Sequence, residues 1–310
     1  MLLPVVPVVV AALVLQYFGP GADTGPLTAP DAIQGATMPL SSGPLVYATA
    51  VVVHVVLSCL AIASYAVIIR DADRPTERKL AVSWIAAVIA ILVLATFVAL
   101  ADPGIAAYRV TYFDYLQFYA AVPDVYFDRA AGLPHLAWAI LVPTALGVFA
   151  VLSAAAAADL LSTGLPHPGD PDAPRELRTS RQGVRRVLYL LSVVLVTSTL
   201  AASVFFHLPS ELYGIEGEEA AARLSRYADA LSVFWGAVYT LTLIATVAVP
   251  AARLQRQAKG TADVLAGPDG GTGADAEGDL GDTLMGQVRL LLALLAPLIA
   301  GPVANVLQAA

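Results

Sequence analysis

The sequence predicts an all-α fold, a polytopic transmembrane helix bundle with six or seven spans. Three observations predict it. Hydrophobic residue types make up 58% of the 310 residues and charged types only 13%, whereas a soluble domain carries about a quarter charged residues. Apolar stretches of the length that crosses a hydrocarbon core, about 20 residues for about 30 Å, recur along the chain. Basic residues crowd into alternate connecting segments, as Arg and Lys do when they are retained on the cytoplasmic side. So few charges would not cover a soluble domain of this length. That excludes an ordinary cytosolic enzyme, a nucleic-acid binder and a disordered chain.

Six stretches supply the spans: 2–18, 45–69, 80–101, 135–161, 187–207 and 231–250. In the first, Pro4 and Pro7 fit an opening helical turn, where a missing N–H costs little. A cleaved signal peptide is the competing reading, but no basic residue precedes Arg70 and Gly19-Pro20-Gly21 is a poor cleavage site. Residues 1–259 thus form a bundle of six helices. Residues 260–283, rich in Gly, Asp and Ala, read as an acidic cytoplasmic linker. Residues 284–310 form a C-terminal apolar helix that either spans or re-enters. Pro297 is expected to kink it, and Arg289 at its start can snorkel.

Loop charges orient the bundle. Arg70, Arg74, Arg78 and Lys79 occupy one connection. Arg175, Arg178, Arg181, Arg185 and Arg186 occupy another, and Arg253, Arg256 and Lys259 follow the sixth span. The intervening segments 19–44, 102–134 and 208–230 are poor in basic residues. The expected location is the cell membrane, multi-pass, with the N-terminus and the three basic segments cytoplasmic. The Arg175–Arg186 run is the candidate contact for anionic headgroups, at roughly 1 kcal/mol per basic residue near the surface, or for a partner protein. Segment 102–134 carries Tyr108, Tyr112, Tyr115 and Tyr119 at helical spacing. This aromatic face suits an interfacial helix or belt.

Polar residues within the spans are the remaining candidates. No Asp, Glu, Lys or Arg lies in the middle of any span. Charge-coupled transporters, voltage sensors and retinal proteins need such groups. His54 is the one ionisable residue near a midplane, and Ser58 shares its face at i+4. A bis-histidine haem would need a second mid-membrane His, and none is present. Ser192, Thr199 and Ser203 lie on one face of the fifth span, and Ser232, Trp235, Tyr239, Thr242 and Thr246 on one face of the sixth. Such faces either line a polar path or bond across helices. Gly236 and Thr240 form a small-xxx-small pair that favours close approach.

No GxSxG, HExxH, P-loop or GxGxxG pattern occurs. Cys59 is the single cysteine, so no intramolecular disulfide or CxxC site can form. His135 and His207 near outer acids match no zinc spacing. Neither enzyme activity, a cofactor nor a metal is expected. Two functional readings follow. One is an oligomeric pore or uncoupled solute channel whose polar path is His54, Ser58, Ser192, Thr199, Ser203, Tyr239, Thr242 and Thr246. The other is a non-catalytic membrane subunit or signalling anchor of a larger complex. The expected partners are the lipid bilayer and either further copies of the chain or another membrane protein, with no nucleic acid.

Overall fold

The computed structural model describes residues 3–18, 43–72, 75–101, 132–213 and 218–266, together with 293, 295–297 and 299–300. All secondary structure in these residues is helical. A 3-10 turn (Leu3–Val5) leads into α1 (Val6–Phe18), followed by α2 (Gly43–Arg70), α3 (Pro75–Ala101), α4 (Gly132–Ser162), α5 (Ala173–Tyr213) and α6 (Glu218–Ala266). Among the described residues, four helices are long and apolar enough to cross a membrane, over Val46–Arg70, Val142–Ser162, Ala173–Leu208 and Ser225–Val264. These are α2, α4, α5 and α6. They pack on one another, with α5 against α6 as the longest interface, while α3 leans on α4 and α1 on α6. Large apolar side chains such as Val52, Leu60 and Leu241 stay exposed, as they do where lipid is the solvent.

Several ends lie where the residue types favour them. Pro7 sits in the first turn of α1 and Pro75 at the first position of α3, where no N–H is missed. Arg78 donates through Nη1 to the Arg70 carbonyl at 3.0 Å, satisfying an orphan acceptor at the end of α2. Gly164, with φ 77°, turns the chain away from α4 in a conformation open mainly to glycine.

α5 and α6 run further than the apolar stretches that predict them. At 41 and 49 residues they measure about 60 and 70 Å, using 1.5 Å per residue. Segment 208–230, expected to be a loop with a short helix, contains only 214–217 between α5 and α6. Helix α6 continues through Pro250 and takes in the first residues of the expected linker, to Ala266. Amphipathic packing explains the extension at the basic end. Leu177 and Val184 on α5 bury against Leu254 and Ala258 on α6, at the i, i+7 and i, i+4 spacings of a helical face. The remainder of the linker and Tyr108, Tyr112, Tyr115 and Tyr119 lie outside the described residues.

The three basic segments meet at one end of the bundle. Arg253 on α6 pairs with Asp159 on α4. The Thr163 hydroxyl donates to the Glu77 carboxylate at 3.1 Å, and the Gln257 amide donates to the Pro166 carbonyl at 2.6 Å. Toward this basic end the interior is a dry core. It is built from Ala61, Tyr65 and Ile69, the alanine run Ala154–Ala158, and Val187, Leu188 and Leu191. All five alanines are buried, because neighbours enclose this stretch of α4, and small side chains let helix backbones approach closely.

Pro297 lacks the N–H that would bond the Ala293 carbonyl one turn earlier. The Ser192 hydroxyl on α5 supplies a replacement donor at 2.6 Å, a repair known for prolines at membrane depth. Ala293 is therefore tied to α5. Ser192→Ala is expected to leave the bundle folded and to release this segment. Hydrogen exchange across residues 290–300 should then rise by tenfold or more; unchanged exchange would show that the bond does not hold the segment.

Candidate functional site

The candidate site is a cavity in the half of the bundle away from the basic end. Its volume is about 50 Å³, and α2, α4, α5 and α6 all contribute to its lining. The space arises from small residues on one face of α5, Ser198, Ala201 and Ala202 at i, i+3 and i+4, opposite larger groups on the other helices. Phe205 and Phe206 close the next turn, and the Tyr47 ring lies 5.8 Å from that of Phe205. Tyr239 enters from α6, within hydrogen-bonding reach of Ser198.

His54 lines the cavity and is 1% exposed. Its Nε2 lies 3.1 Å from the Pro143 carbonyl on α4, and its Nδ1 lies 3.1 Å from the Thr197 hydroxyl on α5. A carbonyl only accepts, so Nε2 carries a proton. In the neutral ring Nδ1 then accepts from Thr197. The Thr197 hydroxyl also sits 2.9 Å from the Val194 carbonyl and 3.1 Å from the Val193 carbonyl, so its single proton has three competing acceptors. Gly147, one turn beyond Pro143, makes the approach possible. A Cβ built there would stand only 3.4 Å from His54 Nε2. One imidazole thus joins three helices.

The other hydroxyls of the expected path do not gather here. Ser203 on α5 accepts from Ser232 on α6 at 3.1 Å. Thr199 donates to the Leu195 carbonyl, Thr242 to Val238 and Thr246 to Thr242, each at 2.8–2.9 Å. All are buried. Ser203 and Ser232 thus meet between α5 and α6, while the three threonines return their protons to their own helices. Ser192 serves the C-terminal segment. Ser58 is fully buried, and its hydroxyl has no hydrogen-bond partner. Gly236 and Thr240 are buried where α6 meets its neighbours. Of the eight residues expected to form one path, only His54 and Tyr239 line the cavity.

Sequence reasoning missed Tyr47, Thr144, Thr197 and Ser198. Periodicity groups residues on one helix, but it does not say which face meets which neighbour. The available signal was Ser198-Ala201-Ala202, a face of small residues on a span otherwise rich in Val, Leu and Phe.

At the end opposite the basic one, His207 donates at Nδ1, since a carbonyl only accepts, and sets Nε2 against a carboxylate. Nδ1 is 2.8 Å from the Ser203 carbonyl and Nε2 3.0 Å from the Asp229 carboxylate. Both nitrogens face oxygen, so neither lone pair is turned toward a metal in this arrangement. Among the described residues no cluster of three or more metal-ligating side chains occurs. At the basic end Arg175, Arg178 and Arg186 are exposed and Arg181 and Arg185 half-buried; Arg175 and Arg186 lie on the side of α5 away from Leu177 and Val184. No family model, no curated protein and no solved structure matches this chain.

Proposed function

We propose that this chain is a non-catalytic membrane subunit or signalling anchor. It is a closed, multi-pass bundle in the cell membrane, with its N-terminus and basic end cytoplasmic. The observation that carries the reading is the filled interior. The half of the bundle toward the basic end is packed with apolar side chains; Ser232 bonds Ser203 between α6 and α5, and the buried Thr199, Thr242 and Thr246 hydroxyls donate to carbonyls of their own helices. The positive-inside rule assigns the basic end to the cytoplasm. There α5 extends about 20 Å past the apolar stretch, counting its first fourteen residues at 1.5 Å each. It offers the exposed Arg175 and Arg186 to anionic headgroups or to an acidic partner.

Reconstitution tests this against the channel reading. Vesicles containing the purified chain should hold an entrapped dye and a potassium gradient as long as empty vesicles do. Extraction in mild detergent should bring a second membrane protein in fixed ratio. Solute flux that is abolished by Thr199→Phe or Thr242→Phe in folded protein would overturn the proposal in favour of a pore.

A further inference from the structure

We infer that the cavity beside His54 is a binding site for the hydroxyl head of a neutral lipid alcohol, with the apolar tail remaining among the lipids. The inference does not depend on the function proposed above. Three features of the lining point to this ligand class.

The first is the absence of charge. No Asp, Glu, Lys or Arg lines the cavity, and buried charge without a partner is costly, so a carboxylate, phosphate or ammonium head is disfavoured. The second is the kind of polar group present. Tyr47, Thr144, Ser198 and Tyr239 bring hydroxyls from four different helices, with the imidazole of His54 beside them. A hydroxyl both donates and accepts. A guest alcohol can therefore insert into such a ring, giving and taking one bond, whereas a ketone can only accept and an alkane does neither. The third is size and setting. A cavity of about 50 Å³ is smaller than the roughly 150 Å³ that admits benzene, so it takes a hydroxyl and its first carbon atoms but no ring. The aromatic and alanine walls then pass the chain on as apolar surface. Water alone also meets the size limit, and the experiment below separates it from an alcohol.

The probe is 3-azi-1-octanol, a photoreactive alcohol, applied to the full chain in nanodiscs. After illumination, adducts are mapped by mass spectrometry. The expected result is concentrated labelling on the cavity-lining turns around Tyr47–His54 and Ser198–Phe205. An excess of 1-octanol should suppress it at least tenfold, while octane at equal membrane concentration leaves it within twofold. Ala202→Leu, which fills the space, should reduce labelling tenfold. Tyr239→Phe, which removes only a hydroxyl, should reduce it two- to fivefold. Labelling spread along lipid-facing residues such as Val52, Val56 and Leu60, with no competition, would show that the cavity holds water only and would overturn the proposal. Equal competition by octane would overturn it too, since the hydroxyl would then play no part. The competition arms use the natural sequence, so they decide the matter even if Ala202→Leu does not fold.

Discussion

His54→Ala is expected to destabilise the bundle by about 2–3 kcal/mol, read as the shift in equilibrium unfolding in mixed detergent micelles. Two contributions of different kind make up the figure. The ring forms hydrogen bonds to Thr197 and Pro143. Polar contacts between membrane helices average roughly 0.6 kcal/mol each, because the unfolded state in the membrane also finds partners. The Thr197 hydroxyl keeps the Val194 carbonyl at 2.9 Å as an acceptor, so losing the ring strands no buried donor there. The void is the larger part. Removing roughly 60 Å³ of imidazole at about 24 cal/mol per Å³ costs about 1.5 kcal/mol, and the new space merges with a cavity that is already present. His54→Leu restores the volume without the bonds and is expected to cost about 1 kcal/mol. If Leu costs as much as Ala, the hydrogen bonds rather than the packing hold the three helices.

What could be read from the sequence follows from where free energy constrains residue type. Charges are expensive inside a bilayer, so their positions report topology. The three segments containing Arg70–Lys79, Arg175–Arg186 and Arg253–Lys259 do share one end of the bundle, tied by Asp159–Arg253, Thr163–Glu77 and Gln257–Pro166. His54 was legible for the same reason, as the single ionisable group in mid-span. Its partners were not. Thr197 lies off the Ser192, Thr199 and Ser203 face, and Pro143 contributes a backbone carbonyl that no residue type reveals. Helix ends were also poorly legible. Apolarity stops at the membrane surface, but α5 and α6 continue beyond it on the amphipathic contacts of Leu177, Val184, Leu254 and Ala258. That Pro297 lacks an N–H could be read from the sequence; the Ser192 donor to the Ala293 carbonyl needed the neighbouring helix.

The alanine run of α4 shows the same limit from the other side. Ala154–Ala158 is unremarkable in a chain so rich in alanine, yet all five side chains are buried. A run of small residues on every face of a helix is what an enclosed membrane helix needs, because attraction there comes from close packing and not from exclusion of water. Around such a helix the large side chains must come from the neighbours, and among the described residues Tyr65 of α2 is the largest that is completely enclosed.

Tyr65→Ala is accordingly expected to cost about 2–3 kcal/mol, while Tyr65→Phe costs about 0.5 kcal/mol. In water, truncating a buried aromatic residue to alanine costs about 3–5 kcal/mol, part of it lost hydrophobic transfer. Lipid tails are as apolar as the protein interior, so that part largely vanishes in a membrane. What remains is the void, roughly 100 Å³ at about 24 cal/mol per Å³. The Tyr65 hydroxyl donates to the Val187 carbonyl at 3.3 Å, a long bond to an acceptor already within α5, so its loss matters less. The measurement is the same detergent-mixture unfolding, with the two variants run side by side. A Phe variant as unstable as the Ala variant would mean that the hydroxyl, and not the ring, holds α2 to α5. A cost of 5 kcal/mol for Ala would mean that the basic half of the bundle is exposed to water on unfolding and is not surrounded by lipid.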